Sequence, residues 1–273
     1  MSQPRHPTAK KSLSQNFLVD PNLQRKIVTA LKATRVDLVL EIGPGTGALT
    51  QHLAGQVGRL TLIELDDALA AKLSEEYGNR PDVDVIHGDA LAISLAQISE
   101  GQPLKVIGNI PYGITTPLIF HLLDSRPRPQ VIVLTVQREV ADRLAARPGS
   151  KQYGALTAGV QAVAGVESLF RISRKAFRPQ PDVDSAVVRI TPRMPPPLTP
   201  AQETAFRTLT RAAFSRRRKQ LQKVLRQAPE FALSATEVTA LLNELHIDPA
   251  TRPDALPVTD YVRLSGALAD RRS

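Results

Sequence analysis

Short apolar strands alternate with helical segments through the first half of this sequence, and this alternation constrains the fold more than any other feature. The predicted strands, rich in Val, Ile and Leu, cover residues 36–42, 59–65, 84–87, 104–109 and 130–136. The predicted helices cover residues 21–34, 46–57, 67–77, 93–99 and 115–123. Strands that are apolar throughout are typical of a parallel sheet buried on both faces. The alternation therefore predicts a doubly wound α/β domain.

The second half of the sequence follows a different pattern. Two helices are predicted at 138–146 and 153–164, and two strands at 166–172 and 185–191 suit a hairpin-like pair at the sheet edge. A proline-rich stretch at 192–200 indicates a stiff linker. Beyond this linker, helices are predicted at 200–213, 216–227, 236–246 and 258–268.

These patterns divide the chain into three parts. Residues 1–14 form a polar, basic arm that we expect to be mobile, and they lack the apolar stretch of a secretory signal. Residues 15–193 form the α/β domain, and residues 194–273 form a small helical domain. The whole chain of 273 residues can bury about 70–75% of its unfolded surface, so it needs no disulfide or metal to hold its core.

Composition excludes several kinds of site. The chain has no cysteine, which excludes disulfides, thiol catalysis, iron–sulfur clusters and cysteine-ligated zinc. Its five histidines lack the spacing of a catalytic zinc site. The apolar runs are far shorter than the roughly 20 residues that a membrane span needs. We therefore expect a soluble, cytoplasmic, monomeric protein without a metal.

Charge is distributed in blocks along the chain, which has a net charge of +9. Residues 36–125 carry 4 basic and 12 acidic side chains, whereas residues 126–193 carry 12 basic and 5 acidic ones. Both ends of the chain are also basic. Basic surfaces attract phosphate polymers, and an acidic block suits a ligand that carries positive charge. General solubility is the alternative explanation of such charges.

Polar and glycine residues cluster where three of the predicted strands end. Gly43, Gly45 and Gly47 follow the first strand and begin a helical pattern, where a Cβ would hold the backbone away from a ligand. Glu64 ends the second strand and can accept hydrogen bonds from both hydroxyls of a ribose. Asp89 follows the third strand and can accept one from an adenine amine. A tight β–α turn or a dinucleotide site would explain the glycines alone.

The fourth strand ends in the most specific motif of the chain, Asn109-Ile110-Pro111-Tyr112. The Asn109 side-chain oxygen can accept a hydrogen bond from an amino group. The proline fixes the turn, which makes the main-chain carbonyls of Ile110 and Pro111 further acceptors. Tyr112 offers an aromatic face to a base. Together these groups predict a site that holds an exocyclic amine and stacks its ring, although an ordinary Asn-Pro turn remains an alternative.

In this order the motifs resemble the ribosomal RNA adenine N6-dimethyltransferase family, over about residues 11–262. The matching segments are 15–18, 41–47, 64–66, 88–90, 109–112, 137–141, 177–185 and 214–219. The basic segment 214–219 and the ending from Arg252 to Tyr261 resemble the bacterial KsgA type, which acts on small-subunit rRNA, more than the Erm type, which methylates large-subunit rRNA. Ile110 stands where leucine is usual, and Gly113 stands where a larger residue is common.

The resemblance implies a Rossmann-like class I methyltransferase domain that uses S-adenosylmethionine (SAM). It implies that SAM contacts Asn16, Leu18, Gly43, Gly45, Glu64, Asp89 and Asn109. It also implies catalytic roles for Asn109, Pro111, Tyr112 and Phe177, with Phe177 and Tyr112 stacking on the target adenine. The implied reaction is dimethylation of N6 of two adjacent adenosines near the 3′ end of 16S rRNA in the immature small subunit. A role in ribosome biogenesis follows from that substrate.

Basic residues are the candidates for RNA contact. They are Lys10, Lys11, Arg138, Arg143, Arg147, Arg216, Arg217, Arg218 and Lys219. The last four are consecutive, and the pattern over 214–221 predicts that they open a helix, from which they would project in all directions. Arginine suits phosphate oxygens because its guanidinium forms paired hydrogen bonds. A solvated helix surface is the alternative interpretation of such a run.

Three other functions stay open at this point. A DNA adenine methyltransferase would use the same chemistry, but the second residue of its motif is usually proline, not the Ile110 of this chain. A ribosome-assembly factor without activity would not need Asn109 and Glu64. A dehydrogenase would have no use for Asp89 or for the motif of the fourth strand.

Overall fold

The computed structural model describes residues 15–271. The predicted arm at 1–14, with Lys10 and Lys11, therefore lies outside the described residues. Contacts between Cα atoms divide the chain into two units. The first contains the described residues up to Ala141 together with Glu167–Pro192, and the second contains Asp142–Val166 and the chain from Arg193 onward.

The regular elements follow the predicted order. The strands are β1 (Phe17–Leu18), β2 (Leu38–Ile42), β3 (Arg59–Glu64), β4 (Val83–His87), β5 (Leu104–Asn109), β6 (Val131–Gln137), β7 (Ala164–Ile172), β8 (Phe177–Arg178) and β9 (Ser185–Pro192). The helices are α1 (Pro21–Leu31), α2 (Thr50–Leu53), α3 (Asp67–Tyr77), α4 (Leu95–Ser99), α5 (Thr115–Asp124), α6 (Arg138–Leu144), α7 (Ala155–Gln161), α8 (Pro200–Ser215), α9 (Leu221–Gln227), α10 (Ala235–Glu244) and α11 (Val258–Asp270). No helix within residues 15–271 is long and apolar enough to cross a membrane.

The first unit is built on a seven-stranded sheet with the order β4-β3-β2-β5-β6-β9-β7. The first five of these strands are parallel, and β9 runs antiparallel to β6. This confirms the predicted α/β fold. The strand pair expected at the sheet edge is also present as β7 and β9. Of these two strands, β7 forms the edge, and β9 lies between β6 and β7. The strand order reverses between β2 and β5, and doubly wound proteins bind ligands at the carboxyl ends of the strands at such a point.

Local sequence accounts for the element boundaries near this reversal. The Asp20 carboxylate caps α1, accepting from the main-chain N–H groups of Asn22 and Leu23 at 2.9 and 3.2 Å. The predicted helix at 46–57 is wrong in length, because α2 covers only Thr50–Leu53. Gly45 and Gly47 have φ angles of +59° and +81°. These angles lie in the left-handed region, so the segment before Thr50 forms turns.

The second unit contains α7 to α11, and its extent differs from the domain boundaries expected from sequence. The Tyr153 hydroxyl donates to the Leu256 carbonyl at 2.9 Å, and the Tyr153 ring packs edge-on against Phe214 with 5.8 Å between centroids. Tyr153 is fully buried. These contacts place residues 142–166 with the C-terminal helices, whereas the sequence had assigned them to the α/β domain.

The basic run 216–219 does not open a helix, which corrects another expectation. Helix α8 ends at Ser215, and α9 begins only at Leu221. The residues between them form a turn, in which the Lys219 N–H donates to the Arg216 carbonyl at 2.9 Å. A turn presents consecutive side chains differently from a helix, so each cation of this run has its own environment.

Candidate active site

A cavity of about 220 Å³ lies at the carboxyl ends of β2, β3, β4 and β5. Its walls come from the strap, which we define as residues 15–18, from residues 43–46 of the glycine loop (43–47) and from the segments at the ends of the four strands. All seven residues to which the resemblance gives a cofactor role border this one cavity: Asn16, Leu18, Gly43, Gly45, Glu64, Asp89 and Asn109. The sheet therefore brings together side chains that are up to 93 positions apart in sequence.

The glycine loop approaches the strap too closely for a side chain. A Cβ added to Gly45 would lie 3.1 Å from the Phe17 ring, and the residue also has a positive φ. The Gly45 main-chain N–H donates to the Glu64 carboxylate at 2.9 Å. The loop is therefore held from two sides, by the strap and by the end of β3.

Glu64 is nearly buried, with 5% of its surface exposed. One carboxylate oxygen accepts from the Gly45 N–H at 2.9 Å, and the other accepts from the Asp66 N–H at 3.0 Å. Each carboxylate oxygen retains a further lone pair for a ligand hydroxyl. The side chain is thus preorganised as a two-oxygen acceptor at the cavity wall, which fits the paired hydroxyls of a ribose.

Asp89 lies at the same edge of the sheet, after β4. One of its oxygens accepts from the Leu91 N–H at 2.9 Å, which fixes the carboxylate in a turn. The side chain is exposed and borders the cavity. Its second oxygen can accept a hydrogen bond from an exocyclic amine.

Glu41, which begins the matching segment 41–47, is a buried acid in the cavity wall. The Thr50 hydroxyl donates to its carboxyl group at 2.8 Å, and only 1% of the residue is exposed. Burial, with the Glu64 charge nearby, raises the pKa of Glu41 to about 8. The side chain is therefore largely protonated at neutral pH.

We expect the free energy of unfolding to fall as the pH rises from about 5 to about 8. Over this range the folded state keeps a proton on Glu41 that the unfolded chain, with a pKa of 4.5, has already lost. Each pKa unit is worth about 1.4 kcal/mol, so the loss amounts to at most about 5 kcal/mol. Urea unfolding at several pH values measures it, and the Glu41→Gln variant should lack this component. Parallel pH profiles for the two proteins would show that Glu41 is charged in the folded state.

The orientation of the Asn109 amide is determined by the strap. The Asn109 Nδ2 donates to the Asn16 main-chain carbonyl at 3.0 Å. Because a carbonyl oxygen can only accept, the amide nitrogen must face it. The Asn109 Oδ1 is left as an acceptor that takes no hydrogen bond from the described part of the chain. The strap itself is anchored where Gln24 Nε2 donates to the Leu18 carbonyl at 2.8 Å.

The two carbonyls of the Asn-Ile-Pro-Tyr turn differ in the structure. The Pro111 carbonyl accepts from the Ile114 N–H at 3.2 Å and from the Thr115 hydroxyl at 3.4 Å, at the start of α5. The Ile110 carbonyl accepts no hydrogen bond from other residues within 15–271. Both residues border the cavity. Ile110 is therefore better suited than Pro111 to supply the second acceptor, which the sequence alone could not decide.

The two aromatic residues expected to stack on a base have different environments. Tyr112 is half-buried, and its hydroxyl forms a 2.7 Å hydrogen bond with the hydroxyl of the buried Ser185. This bond fixes the edge of the ring. No local pattern indicates this contact of Ser185, which ends the matching segment 177–185.

Phe177 does not have the accessibility that stacking requires, which corrects the expectation for this residue. Only 1% of its surface is exposed, and it packs in the core with Leu18 and Ile172. The reason lies in the backbone, since β8 pairs antiparallel with β1 and sets Phe177 opposite Leu18. In this arrangement Phe177 packs in the same buried cluster as Leu18 of the strap.

The basic residues expected to contact RNA fall into two groups. Arg138, Arg147, Arg218 and Lys219 are exposed, and Arg143 is half-buried. Arg217 serves the structure of the second unit, because its guanidinium donates to the Lys151 and Ser150 carbonyls at 2.9 and 3.0 Å and to the Asp254 carboxylate at 3.1 Å. Arg216 donates to the Gln227 carbonyl at 3.0 Å.

Solved structures with this fold support the class of the protein. The chain superposes on the crystal structure of a dimethyladenosine transferase from Plasmodium falciparum with a TM-score of 0.81, at 28% identity over 91% of this chain and 95% of that one. It superposes on the 23S rRNA methyltransferase ErmE with a TM-score of 0.72, at 27% identity over 93% of this chain and 99% of that one. Fold and site together define a Rossmann-like, SAM-dependent methyltransferase.

Sequence comparison then gives the family. The model of the ribosomal RNA adenine dimethylase family matches residues 6–270. This chain belongs to that family. It is 47% identical over 221 residues to the ribosomal RNA small subunit methyltransferase A of Chlorobium chlorochromatii, covering 81% of this chain and 82% of the relative.

Proposed function

We propose that this protein transfers methyl groups from SAM to N6 of adenosine in small-subunit rRNA, and that it makes dimethyladenosine. The Asn109 amide carries the proposal, since its nitrogen is held by the strap and its oxygen remains available at the cavity. The small-subunit assignment rests on the name of the C. chlorochromatii relative. We further propose that the targets are two adjacent adenosines near the 3′ end of 16S rRNA in the immature subunit, and that the enzyme acts as a cytoplasmic monomer in ribosome biogenesis.

The residues around the cavity suit the parts of SAM. We propose that Glu64 binds the ribose hydroxyls and that Asp89 binds the adenine amine. Gly43 and Gly45 admit the methionine part, and Asn16 and Leu18 close the site through the strap. When bound, SAM supplies an electrophilic methyl group on a cationic sulfonium, which suits the acidic segment 36–125.

The chemistry assigned to the protein is the activation of a weak nucleophile. The lone pair of adenine N6 is delocalised into the ring. Hydrogen bonds from the amino group to Asn109 Oδ1 and to the Ile110 carbonyl favour a tetrahedral nitrogen whose lone pair faces the methyl group. Bound against Glu64 and Gly45, SAM would supply its methyl group to this lone pair and leave as S-adenosylhomocysteine, and N6 would lose a proton to solvent. Most of the rate comes from positioning and fixed polarity.

The half-buried Tyr112 is the aromatic residue proposed to stack on the target adenine, with its hydroxyl held by Ser185. Stacking on one face orients N6 toward Asn109. The second methyl transfer starts from a nitrogen that has a single N–H, so it needs space for the first methyl group and uses only one of the two acceptors. The buried Phe177 supports this site without touching the base.

The test of the proposed function compares substrates. We expect transfer of tritiated methyl groups to immature small subunits and none to large subunits or naked DNA. Nuclease digestion of the product should yield N6,N6-dimethyladenosine at two neighbouring positions. Transfer to large-subunit RNA would instead indicate the Erm type, and transfer to DNA alone would overturn the assignment to rRNA.

The cations of the second unit should separate into structural and RNA-binding ones. We expect Arg218→Ala with Lys219→Ala to reduce the salt dependence of subunit binding by about 0.7–0.9 log units per lost phosphate contact, with unfolding unchanged. Arg217→Ala should instead lower the free energy of unfolding by about 1–2 kcal/mol, since it leaves the Asp254 carboxylate and two carbonyls without their donor. Salt titrations and thermal unfolding distinguish the two. Equal salt dependence of the double variant and the wild type would show that the turn is only solvated.

A further inference from the structure

A second group of cations lies beside the cavity, in the first unit. We define the basic loop as residues 173–178, between β7 and β9, with Arg174, Lys175 and Arg178 as its charged side chains. All three side chains are exposed. The surrounding stretch 171–180 contains four basic residues and no acidic one. None of the sequence motifs assigns these three residues to a ligand.

The basic loop is joined directly to the wall of the cavity. Within the β1–β8 pair, Arg178 stands opposite Phe17, and Phe17 borders the cavity. The next residue of the chain after the strap, Val19, donates its N–H to the Ala176 carbonyl at 2.9 Å. Arg178 is therefore one strand away from the wall of the cavity.

Hydrogen bonds to main-chain carbonyls hold the two arginines of the loop in place. Arg178 Nη1 donates to the Lys175 and Phe177 carbonyls at 3.1 and 2.9 Å. Arg174 Nη1 donates to the Asp182 carbonyl at 3.0 Å. Each guanidinium has five N–H donors, so several remain for a ligand. A preorganised cation loses less entropy when it binds an anion.

Asp184 connects the loop to a further cation of the first unit. Its carboxylate accepts from the Arg174 main-chain N–H at 3.0 Å and lies 3.9 Å from Arg138 Nη1. The following residue is Ser185, which holds the Tyr112 ring. Arg138 and Arg174 therefore both contact Asp184, the residue that precedes Ser185 in the chain.

We propose that the basic loop binds the phosphodiester backbone of the RNA next to the target adenosine. This inference rests on the proposed function, and it names the part of the substrate that lies outside the cavity. A base that reaches Asn109 at the cavity wall keeps its sugar and phosphates outside the cavity, where exposed arginine and lysine side chains can bind phosphate oxygens. The strap then links phosphate binding to Asn109, because β1 pairs with the loop and Asn16 holds the amide.

The experiment compares two double variants that each remove two exposed positive charges from the first unit. Lys175→Ala with Arg178→Ala alters the loop. Arg35→Ala with Lys72→Ala is the matched control, with one change just before β2 and one on α3. Affinity for immature small subunits is measured without SAM at several KCl concentrations, and SAM affinity is measured by calorimetry.

We expect the loop variant to bind subunits roughly tenfold or more weakly at about 0.1 M salt, with a salt slope lower by about 1.4–1.8 log units. SAM affinity should stay unchanged, and the control should behave as the wild type. Arg178→Lys retains the charge and should keep most of the slope, which separates charge from the folding of the loop. A loop variant with the wild-type slope, or a control with the same loss as the loop variant, would overturn the inference.

If the proposed function is wrong, the methylation assay fails rather than the binding measurement. In that case the wild type would not methylate small-subunit RNA, whatever the loop variants do. Binding measured without turnover would still decide whether the loop contacts RNA. If the loop variant loses affinity for anionic phospholipid vesicles and keeps its affinity for RNA, the partner is a membrane surface and the inference is wrong.

Discussion

The Asn109→Ala variant should lose about 10²- to 10³-fold in kcat while it still binds RNA and SAM. The lost oxygen acts on the amino group mainly as the nitrogen becomes tetrahedral, so its removal raises the barrier more than it weakens the ground state. Single-turnover methyl transfer, with separate measurements of RNA and SAM affinity, tests this expectation. A variant with wild-type kcat would reduce the Asn-Ile-Pro-Tyr turn to a structural role.

The Asn109→Asp variant serves as a control, because it separates the acceptor from its orientation. The variant retains an oxygen for the amino group. It also places a second acceptor against the Asn16 carbonyl, to which Asn109 Nδ2 donates at 3.0 Å in the wild type. We expect kcat between those of the wild type and Asn109→Ala, together with a strap that is cleaved faster by protease. A fully active variant with a protected strap would show that the hydrogen bond to Asn16 does not position the amide.

The Glu64→Ala variant should bind SAM about 30- to 1,000-fold more weakly, a loss of about 2–4 kcal/mol. Two contributions add up in this value. The ribose hydroxyls lose their proposed acceptor. The Gly45 N–H, which donates to the Glu64 carboxylate at 2.9 Å in the wild type, loses the group that holds the glycine loop. RNA affinity should be nearly unchanged. Calorimetry with SAM measures the effect, and unchanged affinity would contradict the assignment of Glu64.

The Glu64→Gln variant distinguishes these contributions. Glutamine keeps one acceptor oxygen but presents an NH₂ group to the second of the two main-chain donors, Gly45 N–H and Asp66 N–H. We expect its SAM affinity to lie between those of the wild type and the alanine variant. Thermal unfolding of both variants reports whether the loop itself has loosened. If Glu64→Gln binds SAM as the wild type does, the charge of Glu64 adds nothing to ribose binding.

Much of the site could be predicted because its residues belong to short sequence motifs. Glu64 and Asn109 end strands, Gly43, Gly45 and Asp89 follow strands, and parallel strands of one sheet present their carboxyl ends at the same edge. Their meeting in one cavity therefore follows from the strand pattern and the order of the motifs. The helix cap at Asp20 is equally local, since a side chain that bonds to main-chain groups two and three residues away depends on little else.

Sequence alone did not determine the partners of individual side chains. Phe177 follows a basic stretch and precedes two prolines, which indicates a loop, yet its pairing with Leu18 across the β1–β8 strands buries it. Arg217 belongs to a run of four cations, but carbonyls more than 60 residues away bind it. Contacts at such separations depend on how distant segments pack, and no local pattern reports them.

The sequence by itself determined the α/β class, the order of the elements, the position of the cavity at the strand ends and the family. These properties depend on hydrophobic periodicity and on motifs whose residues act through their own backbone. Only the tertiary structure decided that 142–166 packs with the C-terminal helices, that Ser185 holds Tyr112, and that Asn16 orients Asn109. The physical reason is that a hydrogen bond requires two groups within about 3 Å, and packing of the whole chain sets such distances between remote residues.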